Sequence, residues 1–114
     1  MNQTNQIGRL TKDPELKQTS TGKAVCKFSI ALDIGWGDNK KTSFFNYVAW
    51  EKSAENIAKY FKKGSKIGLT SEASQNTWQD KEGQNRSAIE FTVRSFDFID
   101  SKDQAGNKEP DEPF

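Results

Sequence analysis

From residue 24 to residue 34 the apolar side chains fall on alternate positions. Ala24, Cys26, Phe28, Ile30, Leu32 and Ile34 share one parity, and the other includes Lys27, Ser29 and Asp33. A period of two marks a β-strand with one face in a core and one in water. A second strand is predicted from about Thr42 to Trp50, and here both parities are apolar: Phe45, Tyr47 and Ala49 on one side, Phe44, Val48 and Trp50 with Asn46 on the other. An antiparallel sheet ordinarily keeps one face polar, so the second aromatic face must be covered by another element, another subunit or a ligand. The Gly35–Lys41 segment between the two strands is rich in turn formers and sets Trp36 beside Lys40 and Lys41.

The period then changes. Ala54, Ile57, Ala58 and Phe61 stand at the i, i+3, i+4, i+7 spacing of one helix face, and a helix is predicted over 52–63. Ser53 is its expected N-cap, Lys62 and Lys63 close its last turn, and Gly64 is its left-handed C-cap. Ile67 and Leu69 open another strand, Asp80-Lys81-Glu82-Gly83 reads as a hairpin loop, and Ile89, Phe91 and Val93 form the returning strand. After Val93 the apolar phase slips by one to Phe96 and Phe98, the mark of a β-bulge that bends a strand at a barrel corner. Four or five strands with one helix after the third is the layout of an OB-fold, a five-stranded Greek-key barrel that binds oligonucleotides or oligosaccharides. The expected class is therefore mainly all-β: one barrel domain over 1–100, then a disordered acidic tail over 101–114.

Composition sharpens this picture. With 114 residues, 32% hydrophobic content and a mean hydropathy of −0.90, the chain can close one modest core and no second domain. The net charge of +1 hides an asymmetry. Residues 1–99 hold 15 Lys and Arg against 11 Asp and Glu, a net of +4, whereas residues 100–114 hold 2 against 5, a net of −3. A basic body suits a polyanion, and an acidic end suits solubility or a basic docking site. The chain has one cysteine and no histidine, which excludes an internal disulfide, a Cys/His metal site and a Cys-His nucleophile. Cys26, on the apolar parity, reads as a small core residue. Asn2 to Gln6 supply neither the charged nor the apolar part of a signal peptide, and no apolar run approaches a membrane span. A cytoplasmic location is expected, and no cofactor.

Three stretches carry a family likeness. Gly8-Arg9-Leu10-Thr11-Lys12-Asp13-Pro14-Glu15-Leu16, the strand Phe44 to Trp50 with Gly22-Lys23-Ala24-Val25 before it, and the run Ala54 to Ser65 with Trp78 ahead of Gly83-Gln84 resemble, in register, bacterial and phage single-stranded DNA-binding proteins. The similarity covers roughly residues 7 to 99, and Pro113-Phe114 matches separately. The resemblance implies that Trp36, Phe44, Trp50 and Trp78 stack on DNA bases. It also implies a homo-oligomer, usually a tetramer, and docking of partner enzymes on the acidic tip. Lys52 and Lys63 match positively charged family positions and rank with Lys12, Lys40, Lys66 and Arg86 as phosphate contacts. The expected role is to coat and protect unpaired DNA during replication, recombination and repair, in a bacterial cell or a phage-infected host. The sequence departs from the family at Ser71 to Thr77, where relatives usually carry a glycine, a leucine and arginines; fewer cations there imply weaker or less salt-sensitive binding. Its tail acids are also interrupted by Pro110 and Pro113.

This residue set fits such a task physically. A protein that grips any sequence must use what all nucleotides share, a π-face and a phosphate, so aromatics and cations must alternate. Each base stack is worth about 1–3 kcal/mol, and phosphate contacts add a salt-dependent term. Phe44 and Trp50 share a strand parity about 20 Å apart, room for several nucleotides. For all four rings the competing reading is core packing, and for each lysine an ordinary solvated surface. Glu109, Asp111, Glu112, Pro113 and Phe114 combine carboxylates with a ring and a free α-carboxylate, an anchor for a basic-rimmed pocket; the plain alternative is a solubilising tail. Two other classes compete. A nuclease on the same barrel would need clustered carboxylates for a metal, and the acids of the body are scattered among lysines. An OB-fold adaptor would bind protein or RNA and leave single-stranded DNA alone.

Overall fold

The computed structural model describes residues 1–99. The tail over 101–114, with its Glu109 to Phe114 tip, lies outside the described residues. Those described form six strands and one α-helix, β1 Thr4–Leu10, β2 Glu15–Gln18, β3 Ala24–Ile34, β4 Lys41–Trp50, α1 Glu51–Tyr60, β5 Lys66–Gln79 and β6 Asn85–Phe98. The strands run in the order β1-β5-β6-β4-β3-β2, and β1 also pairs with β3. That last pairing, through Arg9↔Ala31 and Leu10↔Ile30, closes β1, β5, β6, β4 and β3 into a five-stranded barrel and leaves β2 as a short flap on β3. All pairings are antiparallel except β4 with β6. This is the OB-fold layout that the pattern of the chain predicts.

The even residues of β3 do what their parity dictates. Ala24, Cys26, Phe28 and Ile30 are buried, and Leu10, Tyr47, Ala49, Ile67, Leu69 and Val93 meet them inside the barrel. The alternation outlasts the core, however. Leu32 is half-buried and Ile34 exposed, because the strand runs past the barrel rim. Tyr47 is the centre of the interior: its ring stacks on Phe28 at 5.6 Å and on Phe91 at 5.3 Å between centroids, and its hydroxyl donates to Gln6 Oε1 at 2.6 Å.

The sequence reading misses β1 and β2. β1 breaks the period-two rule because the parity of its buried Gly8 and Leu10 also carries the half-buried Gln6, while Ile7 faces out. Gln6 is tolerated there because Tyr47 supplies its partner. β2 is exposed at every position and offers no apolar period.

The predicted helix begins and ends elsewhere. Helix α1 spans Glu51–Tyr60, without a side-chain cap at either end, and Ser53 lies inside its first turn. Glu51 has φ +57, so the chain passes from β4 into α1 through a single left-handed residue. At the far end Phe61 leaves the helix in an extended conformation, which carries its ring into the core, 6% exposed, against Phe96 and Phe98. Burying a large ring outweighs one more helical turn. Lys62, Lys63 and Gly64 therefore form a separate turn, closed by Ser65 N–H on Lys62 O at 2.9 Å and Gly64 N–H on Leu10 O at 2.9 Å.

The bulge inferred from the slip after Val93 is present. Ser71 pairs with Val93 and Thr70 with Ser95, so Arg94 is the extra residue. Its guanidinium reaches Glu72 at 3.1 Å.

Candidate nucleic-acid interface

Residues directly opposite across a ladder share a face of the sheet. Buried Phe28 lies opposite Tyr47 and Tyr47 opposite Phe91, which fixes the inner face; Ser29↔Asn46, Ala31↔Phe44, Val25↔Trp50 and Val48↔Thr92 then fix the outer one. Across the β5–β6 ladder the outer row continues through Glu72↔Thr92, Ser74↔Glu90 and Asn76↔Ala88 to Trp78↔Arg86. One uninterrupted outer face therefore runs from Val25 on β3 to Trp78 on β5.

That face holds three of the four predicted stacking residues. Phe44 is 66% exposed, Trp50 41% and Trp78 50%, and no element among the described residues covers them. Asn46, between Phe44 and Trp50, is exposed, while Val48 is buried. Trp36 is placed differently. It lies off the sheet at the start of a single 3-10 turn, Gly37–Asn39, in the β3–β4 loop. At 85% it is the most exposed of the four, with its carbonyl accepting the Asn39 N–H at 3.2 Å.

The six predicted phosphate contacts divide by location. Lys12 lines a groove of about 330 Å³ on the outer face, with Glu15, Lys27, Ser29, Asn46 and Glu90 around it. Arg86 stands opposite Trp78, and its Nε–H donates to Asp80 Oδ2 at 2.9 Å. Lys40 lies in the loop of Trp36, 3.6 Å from Asp33 in an exposed ion pair of the kind worth about 0–1 kcal/mol, one that a phosphate can displace. Lys52 and Lys63 belong to the helix end of the barrel; Lys63 is tied there by its own backbone N–H on Asp13 Oδ1 at 2.8 Å. Lys66 opens β5 opposite Arg9, twelve positions and about 40 Å along the strand from Trp78.

Lys27 and Glu90, which no motif of the sequence singles out, line the same groove as Lys12. Lys27 sits between Glu15 and Val48 on the outer face. Its parity in β3 was readable as solvent-facing, but only the pairing of β3 with β4 sets it among the exposed rings. Glu90 accepts from Asn76 Nδ2 at 3.2 Å and brings a carboxylate into the same groove.

The β5–β6 hairpin is tied off at its tip by one side chain. Asp80 Oδ1 accepts the N–H of Glu82 and of Gln84, each at 2.9 Å, while Oδ2 takes Arg86. These donors, the Gln84 amide first and the Arg86 guanidinium next, hold the Asp80 carboxyl below its ordinary value. Gly83 has φ +83, the left-handed conformation that this five-residue turn needs and a side chain resists. Elsewhere burial pushes the Cys26 thiol up to about 11, which leaves it protonated and inert at neutral pH. Among the described residues no group of three or more Cys, Asp or Glu could hold a metal ion, and no helix is long and apolar enough to cross a membrane.

The profile of the Single-strand binding protein family matches residues 1–99. Among curated relatives, the chain is 34% identical over 104 residues to "Single-stranded DNA-binding protein A" of Bacillus subtilis, covering 89% of this chain and 60% of that protein. It is 34% identical over 119 residues to "Single-stranded DNA-binding protein 1" of Lactococcus lactis, covering 94% and 79%. It is 37% identical over 99 residues to the "Single-stranded DNA-binding protein" of Treponema pallidum, covering 83% and 56%. The chain spans about two thirds of the length of the relatives it matches.

Proposed function

The chain belongs to the Single-strand binding protein family, a family of binding proteins and not of enzymes, and from that membership we propose that it binds single-stranded DNA without regard to sequence. The observation that carries this reading is the outer sheet face on which Phe44, Trp50 and Trp78 stand exposed. Exposed rings on a rigid sheet hold unpaired bases by stacking, and the neighbouring Lys12, Lys27 and Arg86 supply cations for the phosphates between them. Trp36, Lys40, Lys52, Lys63 and Lys66 extend the contact surface from the loop and the helix end. Duplex DNA is disfavoured because its bases are already stacked on one another.

The finer reading follows the same chemistry. The protein coats and protects unpaired DNA during replication, recombination and repair, as a homo-oligomer in the bacterial or phage-infected cytoplasm. Glu109, Asp111, Glu112, Pro113 and Phe114 form the docking segment for partner proteins, since three carboxylates beside a ring suit a pocket with a basic rim. Removal of those five residues is expected to abolish partner capture and leave DNA affinity in place; partners captured equally well without them would refute this role.

Binding is tested by adding poly(dT) and following tryptophan emission, which stacking quenches. Replacing Phe44, Trp50 and Trp78 together by alanine is expected to weaken binding by about 100-fold or more, since each stack contributes about 1–3 kcal/mol. A variant assembled like the parent, by light scattering, that holds poly(dT) equally well would refute the proposal. Unchanged emission in the parent, with tight binding of a protein instead, would favour an OB-fold adaptor.

A further inference from the structure

Asp80 is a carboxylate next to a surface read as gripping a polyanion, where its charge alone would work against binding. Its geometry gives it another task. The two oxygens are divided: Oδ1 closes the hairpin turn through the N–H groups of Glu82 and Gln84, and Oδ2 takes the Nε–H of Arg86 at 2.9 Å. The turn is itself fixed by Asp80 N–H on Gln84 O and Gly83 N–H on Asp80 O, each at 3.0 Å. The Asp80 side chain is only 23% exposed and that of Arg86 55%. The carboxylate is thus anchored and the guanidinium hangs from it by one edge. Among the described residues the terminal N–H groups of Arg86 meet no acceptor. Arg86 lies directly opposite Trp78, and such pairs have Cβ atoms about 5 Å apart.

We infer that Asp80 is a positioning residue for nucleic-acid binding: it holds the Arg86 guanidinium beside the Trp78 ring, so that a base stacked on the indole presents its phosphate to the terminal N–H groups. The inference rests on the proposed single-strand binding. A long cation left to itself samples many rotamers and loses that freedom when it binds; one already pinned by its Nε loses less, which favours the bound state. Arginine suits the arrangement because its planar fork can serve a carboxylate with one edge and a phosphate with another.

D80N separates the two tasks. Asparagine keeps a carbonyl oxygen for the Glu82 and Gln84 amides and replaces the oxygen that holds Arg86 with a donor that cannot. If Asp80 only repelled DNA or masked the Arg86 charge, D80N would bind poly(dT) more tightly and with a steeper salt dependence. Positioning predicts the opposite sign: binding about 3- to 10-fold weaker, and a plot of log affinity against log salt shallower by about 0.7, the loss of one phosphate contact on a single strand. R86Q should show the same shallower slope, and D80N added to R86Q should weaken binding no further. Amide exchange at Glu82 and Gln84 reports whether the turn survives, and D80E, which restores a carboxylate, should recover part of the affinity. D80N that binds as tightly as the parent or tighter, or that weakens the R86Q background equally, overturns the inference while leaving single-strand binding intact. A parent that ignores poly(dT) removes both.

Discussion

Tyr47, Cys26 and Asp80 are residues whose chemistry their surroundings have changed. Tyr47 is 1% exposed, and burial raises its hydroxyl above the ordinary tyrosine range despite an opposing hydrogen bond from Ser71. Its hydroxyl donates to half-buried Gln6 and also bonds the buried Ser71 side chain, so Tyr47→Phe is expected to destabilise the fold by about 1–3 kcal/mol in urea unfolding, the loss of two side-chain hydrogen bonds. The Cys26 thiol, 0% exposed and raised to about 11, should stay unmodified by a thiol reagent at neutral pH until the protein unfolds; labelling at the rate of free cysteine would contradict its burial. Asp80 titrates in the opposite sense. Its carboxyl is lowered in the folded protein, so its contribution is complete above the unfolded value of about 3.9 and is lost as the pH falls below that toward the folded value. Amide protection at Glu82 and Gln84 should therefore hold from neutral pH down to about 4 and decline below it.

Among the elements, β6 shows how one residue sets the phase of a strand. Arg94 is the unpaired residue of the bulge; before it Phe91 and Val93 point inward, and after it Phe96 packs against the core while Phe98 stacks on Phe61 at 4.9 Å between centroids. Removing Arg94 would move everything after it by one position and turn Phe96 and Phe98 to the wrong faces. The deletion is expected to abolish a cooperative thermal transition, whereas Arg94→Ala, which keeps the residue count and loses only an exposed ion pair with Glu72, should change stability by less than about 1 kcal/mol. Helix α1 makes the complementary point. Its core contacts at Ala54 and Ile57, and the burial of Phe61 just beyond it, were legible from their spacing, yet its end was not, because Phe61 leaves the helix to fill a space that only the folded barrel creates.

For the whole molecule, the barrel closes where β1 crosses β3. A Cβ on Gly8 would lie 2.7 Å from the carbonyl oxygen of Ala31 and 3.0 Å from the Ile30 side chain, so glycine is required for the strands to approach. Gly8→Ala is expected to cost about 1–3 kcal/mol and to lower the melting temperature by several degrees, while Gly68→Ala, whose nearest contact is 3.4 Å from a side-chain tip, should be milder. Closure also makes the candidate interface. β4 lies between β3 and β6, and β6 brings β5 with it, so Phe44, Trp50 and Trp78, far apart in the chain, come to share one rigid surface.

The chain by itself determined whatever depends on near neighbours: the period of β3, the double aromatic face of β4, the helix stripe, the Asp80–Gly83 turn and the phase slip after Val93. Each is a repeat of two or of 3.6 residues, or a turn chemistry, written into adjacent positions. β1 and β2 escaped because one carries a polar residue toward the core, excused by a distant tyrosine, and the other buries nothing. Which exposed rings share a face, that Lys27 and Glu90 lie among them, and that Arg86 hangs from Asp80 beside Trp78 were decided only by the tertiary structure. Strand register joins residues remote in sequence, and no local period records which rungs will meet.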